Sequence, residues 1–306
     1  MIREALSAAA RNASLGAALA RAPIARDVVK RVVGGDTVEA ALGVAADLAD
    51  RGFFVSLERA APPVLDDDAA AAVAAEYSAL LDAVSATGLA GTVEVCVVPE
   101  AVGLHAEGDD SAARERLAEL ATQASRRQVP LMLGVGPVDD VAETLAVADS
   151  LVDAGHPTGV TLPAVLLRTE ADCARLADRH VRLVKGAHRA SEGVSHTQPI
   201  EIDKAYVRCA KVLLRGAGQP SFATHDPRLV EIIESLVERY GRPTQTYEYA
   251  FYMGRLEGMQ QRLLDKGERV RVYVPYGPDW FERLVGGLAE QPSTVAAALR
   301  SLLPGT

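Results

Sequence analysis

Val181-Arg-Leu-Val-Lys-Gly-Ala-His188 is a short β-branched run that carries two cations and then breaks at a glycine. Val181, Leu183 and Val184 suit a buried strand, whereas Arg182 and Lys185 are too costly to bury there unless an anion meets them. A phosphate or an electron-rich ring would satisfy that demand, and Gly186 and Ala187 would let the backbone approach such a ligand closely. Without a ligand, the same residues are a strand end with two solvated cations. The stretch by itself leaves both readings open.

Working outward, apolar runs alternate with helical periodicity. Toward the N-terminus the pattern predicts strands at Phe53 to Leu57, Val93 to Val98, Pro130 to Val135 and Gly159 to Ala164. Helices are expected at Val38 to Arg51, Asp66 to Thr87, Ser111 to Arg127, Val138 to Ala154 and Glu170 to Arg179. Beyond the opening stretch come helix Ile200 to Arg215, strand Pro220 to Thr224, helix Pro227 to Tyr240, strand Thr244 to Glu248, helix Gly258 to Lys266 and strand Val270 to Val274. Helices Asp279 to Glu290 and from Ser293 end the chain. Eight strands separated by helices, with no long linker, point to an α/β fold, a (β/α)8 barrel over 36–306 preceded by an N-terminal helical segment over 1–35. A doubly wound open sheet is the alternative. A barrel gathers strand ends on one face, so Arg182, Lys185, Thr224, His225, Glu248 and Tyr273 are expected to converge there.

Composition narrows the function. The 306 residues are 49% hydrophobic and 24% charged, with a formal net charge of −9. That balance excludes the clustered cations of a nucleic-acid binder. Cys96, Cys173 and Cys209 stand singly, with no spacing that suggests zinc or a redox pair, and a reducing cytoplasmic setting is expected. No run approaches the roughly eighteen apolar residues of a membrane span. Residues 4–34 read as an amphipathic helix, so membrane association is at most peripheral.

Ala223-Thr-His-Asp-Pro227 closes one strand and opens a helix, with Asp226 placed as N-cap and Pro227 at the first helical position. Thr224 and His225 thus stand before a helix N-terminus, where phosphate oxygens are favoured, although a plain capping turn has the same residues. Glu248 is either a site carboxylate or a partner for a barrel cation. No G-x-G-x-x-G follows the first strand, no nucleophile elbow appears, and no metal is expected.

Together, the Arg-Leu-Val-Lys-Gly-Ala strand, Ala-Thr-His-Asp-Pro, Tyr247-Glu-Tyr249 with a following glycine, and Val272-Tyr-Val-Pro-Tyr-Gly277 with Leu288-Ala-Glu-Gln-Pro292 resemble the proline dehydrogenase family. The likeness runs in order from Gly34-Gly-Asp-Thr37 through Ile202-Asp-Lys-Ala-Tyr206 to the C-terminus. It implies a distorted (β/α)8 barrel that binds FAD, removes a hydride from proline and passes electrons to a membrane quinone. Position by position, it implies Arg182 near the flavin N5, Lys185 near the cofactor phosphates, and Gly186 and Ala187 as close-approach backbone. Thr224 and His225 would lie along the ribityl-pyrophosphate part. Tyr273 would be an active-site tyrosine, and Glu290 the acidic residue closing the last barrel helix.

The departures concern the substrate side. The family's consecutive arginines, which clasp the substrate carboxylate, are replaced by Gly286 and Gly287 within Leu284-Val-Gly-Gly-Leu288. A nearby tyrosine is Arg283, a candidate substitute cation, and the tyrosine after the fifth strand is His188, a candidate acid or base. The family lysine of the second strand aligns with Val98, the aspartate of the third with Gly134 and the glutamine of the fourth with Pro163. The acidic stretch after the first strand has become Arg59-Ala-Ala-Pro-Pro63. Two functions follow as expectations: a flavin oxidoreductase acting on a proline-related amine or imino compound through a remodelled pocket, or a catalytically silent barrel kept for binding or regulation.

Overall fold

The computed structural model describes residues 31–106, 109–136, 141–186 and 193–278. Within them lie α1 (Val38–Asp50), β1 (Phe54–Arg59), α2 (Asp67–Ala86), β2 (Val93–Val97), α3 (Ser111–Arg127), β3 (Leu131–Leu133), α4 (Val141–Asp153) and β4 (Thr158–Pro163). Then follow α5 (Thr169–Arg175), β5 (His180–Val184), α6 (Pro199–Arg215), β6 (Gln219–Ala223), α7 (Pro227–Tyr240), β7 (Glu248–Tyr252), α8 (Glu257–Asp265) and β8 (Val270–Tyr276). The strands close in chain order into a barrel, and every neighbouring pair is parallel. The (β/α)8 expectation holds and the open sheet is excluded.

Local chemistry sets the element starts. Thr37 caps α1 by accepting from the Ala40 N–H at 3.3 Å, and Asp66 caps α2 by accepting from Ala69 at 2.8 Å. Asp226 caps α7, with Pro227 at its first position as expected. The core lies between strands and helices, where Val55, Leu57, Val95, Val97, Leu162, Leu183, Phe222, Phe251 and Val272 are all buried. Two-residue alternation turns the intervening side chains to the barrel axis. There Ser56, Glu58, Glu94, Cys96, Arg182, Glu248 and Arg271 stand where barrels ordinarily stack branched apolar residues. Among the described residues α2 alone is long and apolar enough to cross a membrane, yet Val73, Tyr77, Leu80, Leu81 and Val84 on one of its faces are buried in the protein.

Three expectations need correction. The seventh strand is not Thr244 to Glu248: Thr244–Thr246 is a 3-10 turn after Pro243, and pairing begins at Glu248. The apolar run Tyr249 to Phe251 outcompetes the threonines because it fills the core. Helix α5 stops at Arg175 rather than Arg179, since Leu176 to Arg179 turn directly into β5. Residues 31–35 are a turn and irregular chain rather than the end of a helix: Gly34 donates to Pro275 O at 2.8 Å, and Gly277 donates to Gly35 O at 2.9 Å. Ala187, His188, Arg283, Gly286, Gly287 and Glu290 lie outside the described residues, as do 1–30 and the helices expected after Asp279.

Candidate active site in the barrel lumen and at its mouth

Arg182 is the third of five residues in β5 and points to the axis, where it is 5% exposed. Its charge is met by the protein itself. Nη2 pairs with Glu94 Oε1 of β2 and donates to Ser56 Oγ at 3.2 Å, and Nη1 lies 3.8 Å from Cys96 Sγ. Burial and repulsion from Arg271 bring its pKa down to about 10. The anion that the sequence demanded is therefore a carboxylate of the chain, one that the sequence reading missed.

A second pair completes the lumen. Arg271 of β8 holds Glu248 in a two-point clasp, Nε to Oε1 at 2.6 Å and Nη2 to Oε2 at 2.9 Å, while Nη1 donates to Val55 O at 2.8 Å. Burial alone would raise the Glu248 pKa, but the Arg271 charge and hydrogen bonds outweigh it and hold the carboxyl at about 2. His180 Nε2 lies 3.9 Å from Glu248 Oε1. Burial, helped by Arg271 and Arg269, keeps that imidazole neutral, with a pKa near 4 despite the opposing pull of Glu248. Glu248 therefore does not join the mouth: it opens β7, so it stands at the N-terminal half of the barrel and serves as the partner of a barrel cation. Glu94, His180 and Glu248 present ligand atoms within 4.8 Å of one another, but the two arginines already occupy both carboxylates, which leaves a cation little reason to enter.

The mouth is built by β5 to β8. Lys185, just past β5, is one-third exposed and pairs with Asp203 of α6 and, at 3.6 Å, with Asp226 Oδ2. Arg228 joins both carboxylates, at 3.3 Å to Asp203 and 2.6 Å to Asp226, and its hydrogen bonds hold the Asp226 pKa low. Gly186 has φ +113°, and a Cβ there would lie 2.6 Å from Val165 Cγ1, so packing already requires glycine without any ligand. Thr224 Oγ1 accepts from Asp226 N at 3.2 Å, which leaves its proton to donate elsewhere. His225 Nε2 accepts the Tyr252 N–H at 3.0 Å. Burial, with the nearby Arg255 charge, pushes that imidazole down to about 4.

Tyr252, at the end of β7 and 51% exposed, was not singled out by sequence. Its ring meets Tyr273 edge-on at 4.8 Å and His225 at 5.4 Å, so three aromatic rings, from the link after β6, from β7 and from β8, form one wall. The structure thus brings Thr224, His225 and Tyr273 to one side and Lys185 with Gly186 to the neighbouring rim. It sends Arg182 and Glu248 into the lumen. At the other strand ends, Gly134 has no room for a side chain: a Cβ would lie 2.9 Å from Val98 Cγ2 and 3.3 Å from Cys96 Sγ. Pro163 ends β4 and accepts at its carbonyl from Thr169 Oγ1 at 2.6 Å.

Comparison with known proteins agrees with this architecture. The sequence pattern described as proline dehydrogenase matches residues 41–280. Proline dehydrogenase 1 of Bacillus subtilis (strain 168) is 25% identical over 276 residues, covering 90% of each chain. The proline dehydrogenase of Deinococcus radiodurans is 25% identical over 292 residues, covering 91% of each. Among solved structures, proline utilization A from Bdellovibrio bacteriovorus, inactivated by N-propargylglycine, is similar with a TM-score of 0.78 at 21% identity. A Bradyrhizobium japonicum proline utilization A mutant gives 0.73 at 20%. Each likeness covers 91% of this chain but 33% of the other, so the chain spans about a third of those proteins, and at such identity they speak to the fold alone. The match of the family pattern over most of the barrel makes this chain a member of the proline dehydrogenase family.

Proposed function

We propose that the protein is a FAD-dependent oxidoreductase acting on the CH–NH bond of an amine or imino compound related to proline, through a substrate pocket remodelled away from proline itself. The observation that carries the remodelling is Gly134. The family's aspartate is absent there, and its space is also taken by Val98 and Cys96, so the acidic group has no equivalent on that strand. The resemblance puts the substrate clamp at Gly286 and Gly287, which carry no side chain to perform it.

The rim fits the phosphate-bearing part of the cofactor. Lys185 is part-exposed, Thr224 has a hydroxyl proton to give, and His225 stands in the link between β6 and the N-terminus of α7. Lys185, Gly186, Thr224 and His225, with Ala187 and Glu290, would hold FAD, which when bound accepts the hydride. The chain's own contribution is orientation and charge. Tyr273 and Tyr252 wall the substrate side, Arg182 fixes the field of the lumen from below, and His188 and Arg283 would complete the mouth. Electrons would leave to a quinone or another small acceptor.

A second reading has its own support. Arg182 and Lys185, the two cations assigned to the flavin, are both neutralised by carboxylates of the chain. That is how a silent barrel kept for binding would look. Titrating the purified protein with FAD and following the visible spectrum separates the two. Flavin uptake, with anaerobic bleaching by cyclic amines and none by proline, is the expected result. Prompt bleaching by proline would overturn the remodelled pocket, and failure to take up FAD would leave the silent barrel.

A further inference from the structure

The short link between β7 and α8, Met253-Gly-Arg-Leu256, is held in an unusual shape. Gly254 has φ +72°, and a Cβ there would lie 2.3 Å from Arg31 O. Leu256 has φ +52°, a left-handed conformation that costs a leucine about 1 kcal/mol or more. Arg255 is fixed between them. Its N–H donates to Tyr252 O at 3.1 Å, and its carbonyl accepts from the buried Gln260 Nε2 at 2.6 Å. Its backbone is thus set at both ends, on the face of the barrel where the strands finish.

The side chain has no such settlement. Arg255 Nη1 is enclosed, and among the described residues no acceptor reaches it and no carboxylate pairs with Arg255. The other rim cations, Lys185, Arg228 and Arg59, all have carboxylate partners. The ionisable group that feels its charge is His225, an imidazole whose pKa that charge helps burial to lower and which cannot balance it, and burial pushes the guanidinium below its ordinary pKa. His225 in turn holds the backbone of Tyr252, the exposed ring of the aromatic wall. An enclosed guanidinium donor without an acceptor is expensive unless something brings one. Backbone strain beside it, at Leu256, belongs with functional positions.

We propose that Arg255 is an oxyanion-recognition residue: it takes a carboxylate or phosphate oxygen of a small molecule seated against the Tyr252–Tyr273 wall. This deepens the reading of the mouth as a small-molecule site. If the oxyanion is the substrate's carboxylate, recognition has moved from the positions to which the resemblance assigns it, Gly286 and Gly287 in this sequence, to the link after β7. If it is a phosphate, Arg255 belongs to the cofactor side.

Calorimetric titration of the full chain distinguishes the sources. The probes are pyrrolidine-2-carboxylate and piperidine-2-carboxylate, their parent rings without the carboxylate, and inorganic pyrophosphate, each with wild type, Arg255→Met and Arg255→Lys. At least one oxyanion should bind, weakened about 10- to 100-fold in Arg255→Met and less in Arg255→Lys, with the uncharged rings unaffected. Loss confined to the ring carboxylates assigns the residue to the substrate; loss confined to pyrophosphate assigns it to the cofactor. Equal oxyanion binding by wild type and both variants, or no oxyanion binding by wild type, overturns the proposal. Should Arg255→Met not fold, Arg255→Lys, which keeps charge and stem but not the planar fork, still reports. Flavin colour is read separately, so a colourless protein that binds carboxylates through Arg255 would defeat the oxidoreductase and leave this site standing.

Discussion

The lumen and the β5–β6 rim both carry cations from the same stretch of chain, yet they treat them oppositely. Arg182 points inward, is 5% exposed and answers to Glu94, with Arg271 and Glu248 beside it. Lys185, three residues later, is one-third exposed and shares Asp203 and Asp226 with Arg228 near solvent. Desolvation makes the difference. A buried pair is costly to assemble and costlier to break, whereas a rim pair exchanges readily with water or with a ligand. Interior charge is therefore fixed in its pairing, whereas rim charge remains exchangeable with solvent.

Breaking the lumen side should have the largest effect. Glu94→Gln leaves Arg182 buried without its counter-ion and is expected to cost about 3–5 kcal/mol in urea unfolding. The double change Glu94→Gln with Arg182→Met should recover most of that loss; if it does not, the pair is not what Glu94 contributes. Next comes the hinge between the two regions. Gly186→Ala must accept φ +113° and a Cβ at 2.6 Å from Val165, and should lose about 1–3 kcal/mol. An unchanged melting temperature would mean that the segment simply rotates away.

Acidity sharpens the comparison from another side. His180 and His225 have folded pKa values near 4, against 6.5 when unfolded, so the folded state resists their protonation. Their contribution is fully present above pH 6.5 and is lost as pH falls toward 4. Glu248, held at about 2 against 4.5 unfolded, adds a further loss from pH 4.5 downward. Denaturant midpoints measured from pH 8 to 4 should decline below 6.5, and His180→Asn should flatten part of that decline. The smallest effect belongs to the rim: Lys185→Met should change stability by about 1 kcal/mol or less, its consequence appearing in ligand affinity instead. A loss as large as that of Glu94→Gln would erase the distinction between the two regions.

The barrel was legible because its strands are β-branched runs spaced by helical periodicity, and Asp226-Pro227 marked a helix start to the residue. The seventh strand was misread because Thr244 to Thr246 have strand-forming side chains, while only burial shows that Tyr249 to Phe251 are the ones that pack. Within the site, the demand of Arg182 for an anion was read correctly and its answer was not. Glu94 lies 88 positions away and becomes a neighbour only when the barrel closes. Val93-Glu-Val95 and Val270-Arg-Val272 carried the signal, a charge inside an apolar alternation, but two such charges can be matched only in three dimensions. Tyr252 and Arg255 were hidden by the same displaced strand, which put them in a loop after it.

The β1–β8 seam joins the most distant parts of the barrel and has six residue pairs in register, from Phe54 with Arg271 to Arg59 with Tyr276. Arg271 also reaches across 216 positions to Val55 O. Closing the ring therefore draws shut the largest loop among the strand pairings, the one with the greatest loop-closure entropy cost. Of the two lumen guanidiniums, β5 supplies Arg182 and β8 supplies Arg271, which lies 3.6 Å from Glu94 and 2.6 Å from Glu248. The strand that closes the ring is also the one that carries the second guanidinium of the interior, so geometric closure and charge balance of the lumen rest on the same seven residues.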